Sequence, residues 1–90
     1  MALAVEAAGV NDVETLRRLL DRDPGLVDSE NPDLPLYIAC RNGAIDAARL
    51  LIDRGADVKK EDPMGWTPML GACSHGHLDV ARLLLERDPG

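Results

Sequence analysis

The sequence predicts an all-α solenoid, a one-dimensional stack of short helix-turn-helix units. Three observations predict it. Displaced by 33 residues, the chain matches itself: Leu36-Tyr37-Ile38-Ala39-Cys40 falls on Met69-Leu70-Gly71-Ala72-Cys73, and Gly43 to Ile52 falls on Gly76 to Leu85. A displacement of 32 lays Val5-Glu6-Ala7-Ala8 and the segment Val13 to Leu20 on the middle copy. Each copy reads as two short helices around a turn, and a period of this length is a stacked-repeat signature. Aromatic residues make up only 2% of a chain that is 46% hydrophobic, so the core is built from Leu, Ala, Val and Ile, which suits thin repetitive layers. One such unit cannot bury its own apolar face and must lean on its neighbours. The 90 residues therefore form a single domain, with approximate units at 1–28, 29–60 and 61–90.

The first unit opens with a helix over about Ala2 to Ala8 and turns at Gly9-Val10-Asn11. Its second helix runs from about Asp12 to Asp21, with Asn11 or Asp12 as the N-cap. Arg22 to Leu34 reads as a loop, marked by Asp23-Pro24-Gly25 and Asn31-Pro32-Asp33. The second unit has a helix over Pro35 to Arg41, a turn at Asn42-Gly43 and a helix over Ala44 to Arg54. Gly55 is placed to end that helix in the left-handed conformation. A loop from Ala56 to Trp66 turns at Asp62-Pro63-Met64-Gly65. In the third unit Thr67 is a good cap, and Pro68 suits the first helical position because its φ is preset and it has no N–H to leave unsatisfied. That helix ends near Ser74, His75-Gly76 turns, and the last helix spans about His77 to Arg87.

The net charge is −6, which makes nucleic acid and anionic membrane surfaces poor partners and mildly favours a basic one. No apolar run approaches the length needed to cross a bilayer. The start, Met1-Ala2-Leu3-Ala4-Val5-Glu6, lacks a basic segment and meets an acid at once, unlike a secretory signal. Cys40 and Cys73 occupy the same site in successive units. Packed helices lie about 8–10 Å apart, too far for a disulfide, so both are expected as reduced, buried core thiols of an intracellular protein, cytoplasmic with the nucleus as an alternative.

These residues resemble the ankyrin repeat family. Thr67-Pro68-Met69-Leu70-Gly71-Ala72 is similar to its Thr-Pro-Leu-His-x-Ala signature, and Gly76-His77-Leu78-Asp79-Val80-Ala81-Arg82-Leu83-Leu84-Leu85 resembles its second helix. Gly55-Ala56-Asp57-Val58 resembles its segment between repeats. The resemblance implies an ankyrin-like solenoid with short β-hairpin-type loops and a concave surface for protein–protein recognition, with no cofactor. The chain also departs from the pattern. The motif His is Tyr37 in one unit and Leu70 in the other, and the motif Thr is replaced by Leu34, which cannot cap unless Asp33 does so one residue earlier.

On that resemblance the contact surface comprises helix ends Arg41-Asn42 and Ser74-His75, together with the loop residues Asp33, Leu34, Met64 and Trp66. The bland alternative is ordinary polar helix ends. Trp66 is the sharpest residue: an exposed Trp beside Met64 is the kind of anchor that dominates binding energy, and its alternative is local packing over a neighbouring loop. Each second helix repeats an acid–base–acid triplet, Glu14-Arg17-Asp21, Asp46-Arg49-Asp53 and Asp79-Arg82-Glu86, which reads either as a docking strip or as a solvated face with local ion pairs. The last unit keeps an interior pattern at Leu78, Val80, Leu83, Leu84 and Leu85 instead of a polar cap. A fragment of a longer array, a regulatory segment of a larger protein or enzyme, or self-association through that uncapped unit are the alternatives to a free-standing binding module.

Catalysis and metal binding are not expected. Ser74 and His75 are adjacent in sequence and poorly placed for a nucleophile–base pair. The two cysteines are expected to be buried, where thiols are inert. The carboxylates fall on a ribbon expected to lack a pocket. His75-Gly76-His77 brings two imidazoles together with no third ligand in sequence.

Overall fold

The computed structural model describes residues 8–28, 35–61 and 64–87. Its helices are α1 (Val13–Arg22), α2 (Pro35–Arg41), α3 (Ile45–Asp53), α4 (Pro68–Ser74) and α5 (Leu78–Arg87), with a 3-10 turn at Pro24–Asp28. Ala8 and Gly9 are helical, and the rest of the expected leading helix lies outside the described residues. Helices α2 and α4 lie side by side in one layer, and α1, α3 and α5 follow one another in a second. The long dimension of 29 Å matches three helix-pair layers of about 10 Å each.

The period is visible in the backbone hydrogen bonds. The N–H of Ala44 donates to the Ala39 carbonyl at 2.8 Å, and one step later His77 donates to Ala72 at 2.9 Å. Gly43 donates to Cys40 at 3.3 Å and Gly76 to Cys73 at 3.2 Å, and in the first unit Asn11 donates to Ala8 at 3.3 Å. Each of these turns needs a residue with positive φ: Gly43 and Gly76 sit at 73° and Asn11 at 60°. Asn is among the few side-chain-bearing residues that tolerate this region.

Asn11 has a second task. The residue before helix α3, at the N-cap position, is Ala44, whose side chain cannot cap. The Oδ1 of Asn11 reaches from the preceding unit and accepts from the N–H of Ala47 at 2.9 Å. One unit thus caps the helix of the next. Two other helix starts are local: Asp12 accepts from the N–H of Thr15 and Thr67 from that of Leu70, both at 3.2 Å. Pro68 follows Thr67 at the first helical position, as the sequence predicts.

The core joins all three units. Leu16 and Leu20 of α1, Leu36, Ala39 and Cys40 of α2, Ala47, Ala48 and Leu51 of α3, Ala72 of α4, and Val80 and Leu84 of α5 are buried in one cluster. The small residues let the layers approach closely. Gly71 shows this directly, because a Cβ there would lie 3.0 Å from the Tyr37 ring.

Three expectations are corrected. The loop after α1 is not featureless: the Asp23 carboxylate accepts from the N–H of Gly25 at 3.2 Å, and the resulting 3-10 turn packs Val27 on the core. The loop after α3 forms turns, and no strand occurs among the described residues. There Asp57 draws the N–H of Lys59 to its carboxylate at 2.9 Å and that of Lys60 to its carbonyl at 3.3 Å, using local partners where a ladder would need distant ones. Cys40 is buried but Cys73 is exposed. The third unit lies over the side of the second that carries Cys40, and no described residue does so for Cys73. Burial pushes the Cys40 thiol up from 9.0 to about 12.

Candidate functional site

The candidate residues fall into two groups at opposite ends of the α2–α4 layer. Arg41 and Asn42 end α2, and Ser74 and His75 end α4, so packing of these helices brings the four together. Met64 and Trp66 lie just before α4, about 10 Å away along its axis. Asp33 and Leu34 lie outside the described residues.

In the first group two side chains are occupied. The Asn42 amide donates to the Gly9 carbonyl at 3.1 Å and ties the second unit to the first. Gly9 must be small for this, since a Cβ there would lie 3.0 Å from Ile38 and 3.1 Å from the Asn42 amide nitrogen. His75 Nδ1 lies 3.1 Å from the Gly71 carbonyl. A carbonyl only accepts, so Nδ1 carries the hydrogen of this contact. The rings of His75 and His77 are nearly parallel, with an interplanar angle of 4° and centroids 6.4 Å apart. Among the described residues no group of three or more His, Cys, Asp or Glu could hold a metal ion.

The second group centres on Trp66, which is 41% exposed. Its ring lies 6.4 Å from that of Tyr37 at a tilt of 43°. Tyr37 is buried and rests against Gly71, the close approach described above. Both sequence readings of Trp66 thus contain part of the arrangement: one side packs on Tyr37 while a large area remains open, with Met64 exposed nearby. Sequence reasoning missed Tyr37 and Gly71 as the support behind Trp66. The available signal was that Tyr37 and Trp66 are the chain's two aromatics.

On the opposite layer the charged ribbon, expected to lack a pocket, carries a shallow one. Ile45 and Arg49 of α3 and Asp79, Arg82, Leu83 and Glu86 of α5 line a shallow cleft of about 220 Å³. It forms because adjacent second helices leave a groove between them. None of these lining side chains is a Ser, Cys or His nucleophile. The expected local ion pairs are also corrected. Asp21 pairs with Arg54 at 2.7 Å and Asp53 with Arg87 at 2.6 Å, each bridging one unit to the next. The exposed Glu14–Arg18 pair at 3.6 Å is the within-helix exception, and the triplet arginines Arg17, Arg49 and Arg82 make no ion pair among the described residues.

A family profile described as ankyrin repeats matches residues 2–90 in three copies. The serine/threonine-protein kinase VIK of Arabidopsis thaliana is 39% identical over 61 residues, covering 66% of this chain and 14% of the kinase. No described helix is long and apolar enough to cross a membrane.

Proposed function

The chain belongs to the ankyrin repeat family, and we propose that it recognises another protein through the surface formed by Met64, Trp66, Arg41, Asn42, Ser74 and His75, with Asp33 and Leu34 extending it. Ankyrin repeats are protein-interaction modules. The observation that carries the site assignment is Trp66, half-open and held from behind by the buried Tyr37 ring. A large side chain fixed in this way offers contact area at little ordering cost, which is how aromatic anchors come to dominate an interface. The helix ends supply polar contacts: Arg41, the Ser74 hydroxyl and His75. The net charge of −6 favours a partner with a basic contact surface over nucleic acid. Reduced thiols and a protein partner suit an intracellular setting.

The test is affinity capture with wild type, Trp66→Ala and Arg17→Ala side by side, followed by titration of the captured protein. Trp66→Ala should leave helicity nearly intact and weaken binding by about 2 kcal/mol or more. Arg17→Ala, on the other layer, should bind as wild type. Equal affinity of Trp66→Ala for a partner that the wild type holds would remove the site.

A second reading has one observation in its favour: the curated relative matches this chain over only 14% of its own length. The stack then serves as a regulatory segment of a larger protein or enzyme. The flanking coding sequence tests this, and an open reading frame with no further domain would reject it.

A further inference from the structure

The recognition surface leaves the charge triplets of α1, α3 and α5 unused, and within them acids and bases fare differently. Asp21 and Asp53 are held by Arg54 and Arg87 at 2.7 and 2.6 Å. Asp46 accepts from the Asn11 amide at 3.5 Å, and Asp79 from the N–H of Val80 at 2.9 Å. The arginines Arg49 and Arg82 make no ion pair among the described residues. The two junctions between units differ as well. At the first, the Asn11 side chain reaches α3 and meets both Asp46 and the N–H of Ala47. One step along the chain Gly43 stands in the place of Asn11 and has no side chain to reach α5, and the N–H of Val80, the counterpart of Ala47, is taken by its own neighbour Asp79. The cleft of about 220 Å³ lies at this second junction. Leu83 is buried and Ile45 half-buried, so they form its floor, and the exposed Arg49, Arg82, Asp79 and Glu86 form its rim.

We propose that this cleft is a second docking site, which takes a short segment of a partner protein carrying an aliphatic side chain beside a single carboxylate. Charge complementarity defines the occupant. The guanidiniums of Arg49 and Arg82 come from two different helices to one cleft, and a planar fork of N–H donors is matched to a carboxylate. The aliphatic neighbour covers Ile45 and Leu83. Asp79 and Glu86 stand on the same rim and repel a second acid, so one carboxylate fits and an acidic run does not. The net charge of −6 discourages strongly acidic partners in the same sense. Size points to side chains of a larger molecule: pockets that enclose a whole small ligand hold about 300–1,000 Å³, more than this cleft. The site lies on the layer opposite the α2–α4 surface and stands independently of the role given to Trp66.

The experiment selects short random peptides, displayed on phage, over the immobilised full chain and titrates the enriched peptides against four proteins. These are the wild type, Arg49→Gln with Arg82→Gln, Arg17→Gln with Arg22→Gln, and Trp66→Ala. The second pair removes the same charge from the first unit and controls for net charge. Both cleft arginines are exposed and make no ion pair among the described residues, so their double variant should melt with the wild type. The expected result is a class of peptides that pair one Asp or Glu with an adjacent Leu, Ile or Val. Their affinity should fall about tenfold or more in the cleft double variant and stay unchanged in the other two. Peptides that lose affinity only in Trp66→Ala belong to the recognition surface, and if every enriched peptide behaves so, the cleft proposal is overturned. Cleft-dependent peptides that are basic overturn it too, because the occupant then engages Asp79 and Glu86. Enrichment no greater over the wild type than over the cleft double variant has the same force. A selection that yields the cleft class and nothing sensitive to Trp66→Ala upholds this site and counts against the other.

Discussion

The second and third units carry matching residues on their outward sides and present them to different surroundings. Cys40 is buried and Cys73 exposed; Tyr37 is buried and Leu70 half-open; Ile52 packs on the core and Leu85 stands in solvent. The difference lies in the neighbour and not in the residue. In a stack, burial depends on what the adjacent layer brings, so identical motifs acquire different energetic weight at different places.

The largest contrast is expected between Leu51 and Leu85. Leu51 is fully buried between units, so Leu51→Ala should destabilise by about 2–5 kcal/mol, whereas Leu85→Ala should fall within about 0.5 kcal/mol. Urea denaturation of both variants measures this, and equal losses would break the comparison.

The two turn glycines give a finer contrast. Gly43 and Gly76 share a φ of 73°, so an alanine at either pays strain of about 1–2 kcal/mol. Only Gly43 also meets the His77 ring. Gly43→Ala should be the more destabilising, and His77→Ala should relieve part of its loss while doing nothing for Gly76→Ala. A thermal-melt cycle over the four variants decides the point.

The third contrast is in pH. The folded chain holds the Cys40 proton up to about 12, while the unfolded chain gives it up near 9.0. Proton loss from the unfolded chain above about pH 9 therefore favours unfolding. The stability tied to this group is intact below about pH 9 and declines as the pH rises toward 12, by at most about 1.4 kcal/mol per pH unit. Cys40→Ala should flatten that alkaline decline in a urea-midpoint series, and Cys73→Ala should leave it unchanged.

Much of this fold is legible in the sequence because its signals are local. Thr67-Pro68 starts a helix through a side-chain oxygen and a preset φ, and Gly43, Gly55 and Gly76 mark left-handed backbone. What stayed hidden depends on contacts between units. No local pattern shows that Asn11 caps α3 across the junction, that Tyr37 supports Trp66, or that ion pairs run from Asp21 to Arg54 instead of along each helix. Cys73 departs from expectation for the same reason, since its motif matches that of Cys40 and among the described residues no unit lies over it. Of the candidate site, residue types and positions along the chain were readable; the division into two groups and the tie of Asn42 to Gly9 required the stacked geometry.

The most direct test of position against identity is the labelling of the two thiols in one folded sample. Mass spectrometry after timed alkylation near neutral pH should find Cys73 modified about a hundredfold or more faster than Cys40, which reacts only through opening of the stack. Comparable rates at the two sites would contradict the account.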